Sequence, residues 1–293
     1  MSLYDSVASR IDPAAGLIES TSGNLGVALA AICRAEGVPF TAVTDRLAAR
    51  SVVAAMRRHG ARVITATDPD TDCSYLNDRL RIVREYLTAD PRLTWTNQYE
   101  NQANPLSHEL STGPELRAQV EGTAVVLVPV STGGTLAGVS AFARRHAEWT
   151  VIGVDVHGSH AFRYAPGRRL LPGIGASRAS AFLPGAGPAA GAGGGVELVT
   201  AEQAVAACLW LAEHARIGIG GSSGAAVAAA LSLVGDGRAD DIVCLCPDGA
   251  ANYLDTIYSA SWRASQGMRA MEPAALIEAV DWDFPVPEPR EAR

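Results

Sequence analysis

The feature that most constrains the fold of this chain is a regular alternation of short apolar runs with longer amphipathic or alanine-rich runs. In the first part of the chain, the short runs predict strands and the segments between them predict helices. The predicted strands cover residues 16–20, 39–44 and 62–67, and the predicted helices cover 23–36, 48–59 and 75–87. Alternation of this kind is typical of parallel sheets whose faces are covered by helices.

The same alternation continues in the second part. Strands are predicted at 124–130, 150–156 and 241–246, and helices at 107–120, 134–146, 201–215, 223–234 and 253–262. Gly113-Pro114 is expected to break the helix at 107–120. The glycine-rich stretch 185–195 is expected to be a mobile surface loop, and the proline-containing tail from Asp281 to be extended or disordered.

These patterns predict an α/β protein of two domains with parallel sheets flanked by helices. We expect a smaller domain at residues 1–101, a larger domain at 102–265 and a C-terminal extension at 266–293. Ligands of such folds bind at the carboxyl ends of the strands, so the site is expected in the cleft between the domains.

Composition excludes several other classes of protein. Hydrophobic residues make up 48% and charged residues 19%, which indicates a large buried core. The net charge of −7 argues against a nucleic-acid partner, and no apolar run is long enough to span a membrane. The five cysteines are odd in number and lack CxxC spacing, so we expect reduced thiols, no metal site and a cytoplasmic location.

The chain contains no lysine, since all 24 basic residues are arginines. High usage of alanine and arginine accounts for a low lysine count. A complete absence still has a chemical consequence, because a mechanism that requires a lysine Schiff base cannot operate with these residues alone.

Polar loops follow two of the predicted strands. Residues 19–26 read ESTSGNLG and residues 131–135 read STGGT, and each precedes a predicted helix. A helix N-terminus offers unpaired N–H groups to a carboxylate or a phosphate, and the hydroxyls of Thr21, Ser22, Thr132 and Thr135 add donors. Each loop is also compatible with an ordinary helix cap.

Two further segments are compatible with a ligand. Residues 218–224, GIGGSSG, allow close helix packing or the approach of a flat ligand. Asp248, at the end of a predicted strand, either faces a cationic ring nitrogen or caps the next turn.

Taken in order, these segments resemble the pyridoxal-phosphate enzymes of the cysteine synthase (fold type II) family, from residue 11 to about residue 262. The resemblance implies that pyridoxal 5′-phosphate is the cofactor, that the substrates are amino acids and that the protein is a homodimer. It implies that Ser131, Thr132, Gly133, Gly134 and Thr135 bind the cofactor's phosphate.

The resemblance also implies roles for the other polar residues. Asn24 would bind the phenolic oxygen of the cofactor, and Asp248 would face its pyridine nitrogen, where the family usually has serine. Thr21, Ser22, Gly23 and Gln98 would bind the substrate carboxylate; Gln98 lies in the segment NQYEN at 97–101.

Two stretches narrow the resemblance. Residues 171–178 and 253–262 resemble the siderophore-type enzymes of 2,3-diaminopropionate biosynthesis, which join O-phosphoserine and glutamate. The second carboxylate of glutamate needs a cation, for which Arg178 is the first choice and Ser159 a weaker neutral candidate. The alternatives are a cysteine synthase, a lysine-less paralogue that binds cofactor or amino acid without turnover, and a decayed remnant.

The family's catalytic lysine belongs to an Asn-Pro-x-x-Ser-x-Lys-Asp segment upstream of the ESTSGN loop. One alignment places this segment before Met1, so that the fold is N-terminally shortened. The other aligns Ser2–Asp5 with Ser-x-Lys-Asp and places Tyr4 at the lysine position, at the cost of most of one helix. In both alignments the Schiff-base lysine is absent.

Overall fold

Two four-stranded parallel sheets organise the chain in a computed structural model that describes residues 2–70, 74–183 and 194–268. The first sheet has the strand order β3-β2-β1-β4. Its strands are β1 (Leu17–Ser20), β2 (Phe40–Asp45), β3 (Arg62–Ala66) and β4 (Thr94–Trp95). Its helices are α1 (Asn24–Glu36), α2 (Arg50–Arg58) and α3 (Leu76–Ala89).

The second sheet has the order β7-β6-β5-β8 and is also parallel throughout. Its strands are β5 (Ala124–Pro129), β6 (Trp149–Val156), β7 (Val196–Val199) and β8 (Ile242–Cys244). The helices that follow β4 are α4 (Ala103–Ser107), α5 (Gly113–Arg117), α6 (Gly134–His146), α7 (Ala201–Trp210), α8 (Gly221–Gly235) and α9 (Ala260–Ser265).

Each sheet has its own apolar core. In the first sheet, Leu17 and Phe40 pack with Leu29 of α1 and Met56 of α2. In the second sheet, α7 and α8 pack tightly because their contact residues are small. A Cβ added to Gly224 would lie 2.3 Å from the carbonyl oxygen of Ala204. The predicted α/β fold with parallel sheets flanked by helices is confirmed, whereas the boundary at residues 101 and 102 stays a prediction.

The prediction that Gly113-Pro114 breaks a helix is wrong. Helical backbone runs from α4 through a π-helical turn, His108–Thr112, into α5. Gly113 has helical angles (φ −60°, ψ −53°), and its N–H bonds to the carbonyl of His108. Pro114 is the second residue of α5 and follows the π-helical turn directly.

The prediction of a helix at 253–262 is also wrong, because only Ala260–Ser265 is helical. Two tyrosine hydroxyls hold the preceding turns through tertiary hydrogen bonds. Tyr253 donates to Asp248 at 2.7 Å, and Tyr258 donates to the carbonyl of Ile219 at 2.7 Å. These contacts replace the local bonds of a helix.

Two of the predicted segments fall outside the residues that the structure describes. These segments are most of the loop predicted at 185–195 and the whole tail from Asp281. Within residues 2–70, 74–183 and 194–268, no helix is long and apolar enough to cross a membrane. The same residues contain no group of three or more His, Cys, Asp or Glu side chains placed to hold a metal ion.

Candidate active site

A cavity of about 380 Å³ lies where the carboxyl ends of strands from both sheets meet. Its volume falls in the range of small-molecule sites. Of the residues predicted from the sequence, ten line it: Thr21, Ser22, Gly23, Asn24, Gln98, Ser131, Thr132, Gly133, Thr135 and Asp248. The fold therefore brings together residues that are more than two hundred positions apart in the sequence.

The loop Thr21–Asn24 connects β1 to the N-terminus of α1. Thr21 is buried, and its Oγ1 accepts the N–H of Gly26 at 3.0 Å, so this side chain shapes the turn. A Cβ on Gly26 would lie 2.6 Å from Cγ2 of Thr21, which explains why this position in the first turn of α1 is a glycine. Ser22 and Asn24 remain on the cavity wall.

Gln98 is held against this loop by a buried carboxylate. Its Nε2 donates to the carbonyl of Ser20 at 2.7 Å, and its N–H donates to Glu19 Oε2 at 3.3 Å. Glu19 also accepts hydrogen bonds from Trp95 Nε1 and Thr96 Oγ1. Burial raises the pKa of Glu19, and these donors oppose the shift. The anchoring role of Glu19 was not predicted, although an acidic residue inside an apolar strand was a usable signal.

The loop Ser131–Thr135 connects β5 to the N-terminus of α6. Gly133 has φ +88°, a left-handed conformation that favours glycine, and a Cβ there would lie 2.3 Å from Ser180 Oγ. Gly134 does not line the cavity; it packs against Asn104, whose Oδ1 would lie 2.1 Å from an added Cβ. Gly133 thus allows the loop to turn, and Gly134 allows it to pack closely against Asn104.

Asp248 links the two halves of the cavity. Its Oδ2 accepts from Asn24 Nδ2 at 3.0 Å and from the hydroxyl of Tyr253 at 2.7 Å. Asn252 in turn donates to Asn24 Oδ1 at 3.2 Å. Asp248 Oδ1 is buried against Gly220 and has no hydrogen-bond partner among the described residues. Burial and the neighbouring Asp248 raise the pKa of Tyr253, so the phenol remains a donor at neutral pH.

Two arginines that were not predicted also line the cavity. Arg79, on α3, has a side chain only 11% exposed and forms an ion pair with Asp45, with 3.3 Å between Nε and Oδ2. Arg169 donates to Ser177 Oγ at 2.8 Å. No local motif distinguishes these two from the other arginines of the chain.

Arg178 and Ser159 do not line the cavity. Arg178 forms an ion pair with Glu100, 2.8 Å between Nη2 and Oε1, and its guanidinium lies 6.0 Å from the centre of the Tyr99 ring. Ser159 is buried, and its Oγ accepts the N–H groups of Ala161 and Ala176. Arg178 is therefore already paired, and Ser159 holds a backbone turn.

The chain is similar to known proteins over most of its length. The family model described as "Pyridoxal-phosphate dependent enzyme" matches residues 2–248. Two proteins named N-(2-amino-2-carboxyethyl)-L-glutamate synthase are each 37% identical to the chain. The match to the protein of Ralstonia nicotianae covers 92% of this chain and 82% of that protein. The match to the protein of Cupriavidus metallidurans covers 90% and 77%.

Solved structures show the same fold. An O-acetylserine dependent cystathionine beta-synthase from Helicobacter pylori is 25% identical, with a TM-score of 0.77 over 88% of this chain and 83% of that one. An O-ureido-L-serine synthase is 22% identical, with a TM-score of 0.75 over 88% and 81%. The fold and the family match together define an α/β enzyme that uses a phosphorylated cofactor.

The chain belongs to the pyridoxal-phosphate dependent enzyme family, in its fold-type II, cysteine synthase-like branch. The predicted family and cofactor are thereby confirmed. The cavity also suits the cofactor chemically. The Ser131–Thr135 loop would present hydroxyls and a helix N-terminus to the phosphate, and Asp248 would supply a carboxylate oxygen to the ring. When bound, pyridoxal phosphate withdraws electrons from the α-carbon of an amino acid.

Proposed function

We propose that this chain belongs to 2,3-diaminopropionate biosynthesis and, with its cofactor, replaces the β-substituent of O-phosphoserine by the amine of glutamate. The Cβ–O bond of phosphoserine breaks and releases inorganic phosphate. A bond forms between the glutamate nitrogen and Cβ, and the amine loses a proton. The product is N-(2-amino-2-carboxyethyl)-glutamate.

The observation that carries this proposal is the identity of 37% to two synthases of this name, over 90% or more of the chain. The cavity residues support it, because a reaction between two anionic amino acids needs several anion-binding groups. The Ser131–Thr135 loop is assigned to the cofactor phosphate. The Thr21–Asn24 loop and Gln98 are assigned to the α-carboxylate of phosphoserine.

The two arginines that line the cavity are the remaining anion-binding groups. We assign Arg79 and Arg169 to the phosphate of O-phosphoserine and to the carboxylates of glutamate, the charges that the two loops do not cover. The Arg79 side chain is only 11% exposed, so its charge is weakly screened by solvent. Its partner Asp45 neutralises part of that charge and holds the guanidinium in place.

The base that acts at the α-carbon is missing from these 293 residues. Arginine cannot lose its proton near neutral pH, the chain has no lysine, and none of the described histidines lines the cavity. Residues of the cavity can therefore bind and orient the substrates, while the proton transfer needs an amine supplied from elsewhere. A homodimer in the cytoplasm, acting in siderophore or other secondary metabolism, remains a prediction from the resemblance and the cysteine content.

The test compares two proteins. The first is the 293-residue chain, and the second carries an added Asn-Pro-x-x-Ser-x-Lys-Asp segment upstream of Glu19. Both are incubated with pyridoxal phosphate, O-phosphoserine and glutamate. Released phosphate is measured, and the product is identified by mass spectrometry. We expect product from the lysine-bearing protein only.

Parallel reactions separate the alternatives. Sulfide in place of glutamate would give cysteine, and a preference for sulfide would contradict the proposal in favour of a cysteine synthase. Binding of cofactor without product from either protein would favour the paralogue without turnover.

A further inference from the structure

The helix behind the Ser131–Thr135 loop contacts both of its threonines. Asn104, on α4, and His108, one turn later, point to the same side of this helix. Asn104 Nδ2 lies 3.3 Å from Thr132 Oγ1, and His108 Nε2 lies 3.0 Å from Thr135 Oγ1. Each of the two threonine hydroxyls of this loop is therefore contacted from behind by one side chain.

Close packing of two helices makes these contacts possible. Gly134 and Gly138 lie one turn apart on α6 and face the helix that carries Asn104 and His108. A Cβ on Gly138 would lie 2.2 Å from the carbonyl oxygen of Pro105 and 2.6 Å from Cβ of His108. Larger residues at these two positions would move the polar side chains away from the loop.

The orientation of the Asn104 amide follows from its other partner. Its Nδ2 also donates to the carbonyl oxygen of Gln98 at 2.7 Å, and a carbonyl can only accept. The NH₂ group of Asn104 therefore faces Thr132, whose Oγ1 must accept. Thr132 Oγ1 accepts the N–H of Gly134 as well, at 3.4 Å. In both bonds the hydroxyl oxygen accepts, which leaves its single proton for a partner in the cavity.

The polarity at Thr135 depends on the state of His108. Burial lowers the pKa of this imidazole, so at neutral pH one ring nitrogen donates and the other accepts. His108 Nδ1 lies 2.9 Å from Thr112 Oγ1. If Thr112 donates to Nδ1, then Nε2–H donates to Thr135, and the proton of Thr135 is free for the cavity. In the other tautomer, Nε2 would accept a hydrogen bond from the Thr135 hydroxyl, whose proton would then point away from the cavity.

We propose that Asn104 and His108 are positioning residues that hold Thr132 and Thr135 as acceptors, so that both hydroxyl protons are directed at the cofactor's phosphate. His108 acts as the Nε2–H tautomer, with Thr112 as its donor. This inference rests on the proposed role of the Ser131–Thr135 loop in binding phosphate. The π-helical turn His108–Thr112 is the local distortion that places both His108 contacts.

The first test is the tautomer of His108 in the 293-residue chain. Long-range ¹H–¹⁵N correlation spectra distinguish the two neutral forms of the ring, and His108→Gln assigns the signal. We expect the Nε2–H form near neutral pH. The Nδ1–H form or a doubly protonated ring would overturn the proposal. This measurement needs neither cofactor nor turnover.

The second test compares ligands with and without phosphate. By calorimetry, His108→Leu should weaken the binding of pyridoxal 5′-phosphate about tenfold, the size expected for one hydrogen bond to a charged group. The binding of pyridoxal should stay within about twofold of that of the parent. His108→Gln, which retains an N–H near the Nε2 position, should recover most of the loss.

Matched variants of Thr135 complete the design. Thr135→Val should weaken the binding of pyridoxal phosphate as much as His108→Leu does, whereas Thr135→Ser should not weaken it. The double variant His108→Leu/Thr135→Val should lose little more binding affinity than either single variant. Equal weakening of both ligands, or additive losses, would show that His108 has only a structural role. These binding measurements stand even if no product is formed in the assay proposed above.

Discussion

At the scale of single residues, location rather than type decides which arginine serves the cavity. Arg178 has the local sequence context expected of a ligand-binding arginine, yet it is paired with Glu100 outside the cavity wall. Arg79 lies in an ordinary amphipathic helix and lines the cavity. Its Nε approaches Asp45 from α3, a contact between segments more than thirty residues apart.

The different locations of Arg79 and Arg178 are tested by comparing one variant of each. In the lysine-bearing protein, Arg79→Gln should raise the KM for O-phosphoserine at least about tenfold, because a buried charge–charge contact is lost. Arg178→Gln should leave that KM within about twofold, because exposed ion pairs contribute little. Initial rates of phosphate release measure both.

A control variant is needed because Arg79→Gln leaves the carboxylate of Asp45 without its ion-pair partner. Asp45 is 7% exposed, so removing its partner destabilises the fold. The double variant Asp45→Asn/Arg79→Gln removes both charges and should show the same rise in KM with less loss of stability. A normal KM in the double variant would remove Arg79 from the site.

At the scale of elements, the helical segment from α4 to α5 combines positions that look unsuited to a helix. The π-helical turn leads into Gly113-Pro114 without a break in the helix, and the glycines of α6 allow the two helices to pack closely. Local propensity favours a break here, whereas the tertiary packing of Gly113 against Phe142 favours continuity.

Gly138→Ala tests this packing. Alanine is favoured over glycine inside a helix by about 1 kcal/mol, but the new Cβ would meet the backbone oxygen of Pro105 at 2.2 Å. The contact should dominate and lower the free energy of unfolding by about 1–3 kcal/mol. Urea denaturation followed by circular dichroism measures the change.

Gly23→Ala is the matched control, since a Cβ there meets nothing within 4 Å and its φ of −141° suits any residue. We expect a change within about 0.5 kcal/mol. Equal losses in the two variants would mean that the helix contact does not determine the effect.

At the scale of the whole molecule, the cavity depends on contacts between the two sheets. Asn24 reaches Asp248, and Ser51 reaches Asn252, across the cleft. The absence of lysine is also a property of the whole chain, because a Schiff base could otherwise form with any lysine near the cavity.

The 293-residue chain should therefore bind pyridoxal phosphate without a covalent bond to a side chain. After borohydride reduction, mass spectrometry of tryptic peptides should show no pyridoxyl adduct on any side chain. The lysine-bearing protein, treated in the same way, serves as the positive control. A stable side-chain adduct in the 293-residue chain would contradict our account of its chemistry.

Local patterns were sufficient for much of this protein. The period of apolar residues predicted six of the eight described strands, since an apolar run buried between helices is visible without knowing what packs on it. The two short edge strands β4 and β7 were not predicted. Thr21–Asn24 and Ser131–Thr135 were visible for a similar reason, because each loop follows a strand and precedes a helix in the sequence itself. The family resemblance rests on the same segments.

The remaining features depend on residues that are distant in sequence. Tyr253 and Tyr258 are drawn out of a helix by Asp248 and Ile219, and the predicted helix at 253–262 fails for that reason. Arg79, rather than Arg178, lines the cavity because of how α3 packs on the first sheet. The sequence by itself determined the two parallel sheets and the loops at their carboxyl ends, through short-range periodicity. Only the tertiary structure decided which charges face the cavity, because that choice depends on how the elements pack against one another.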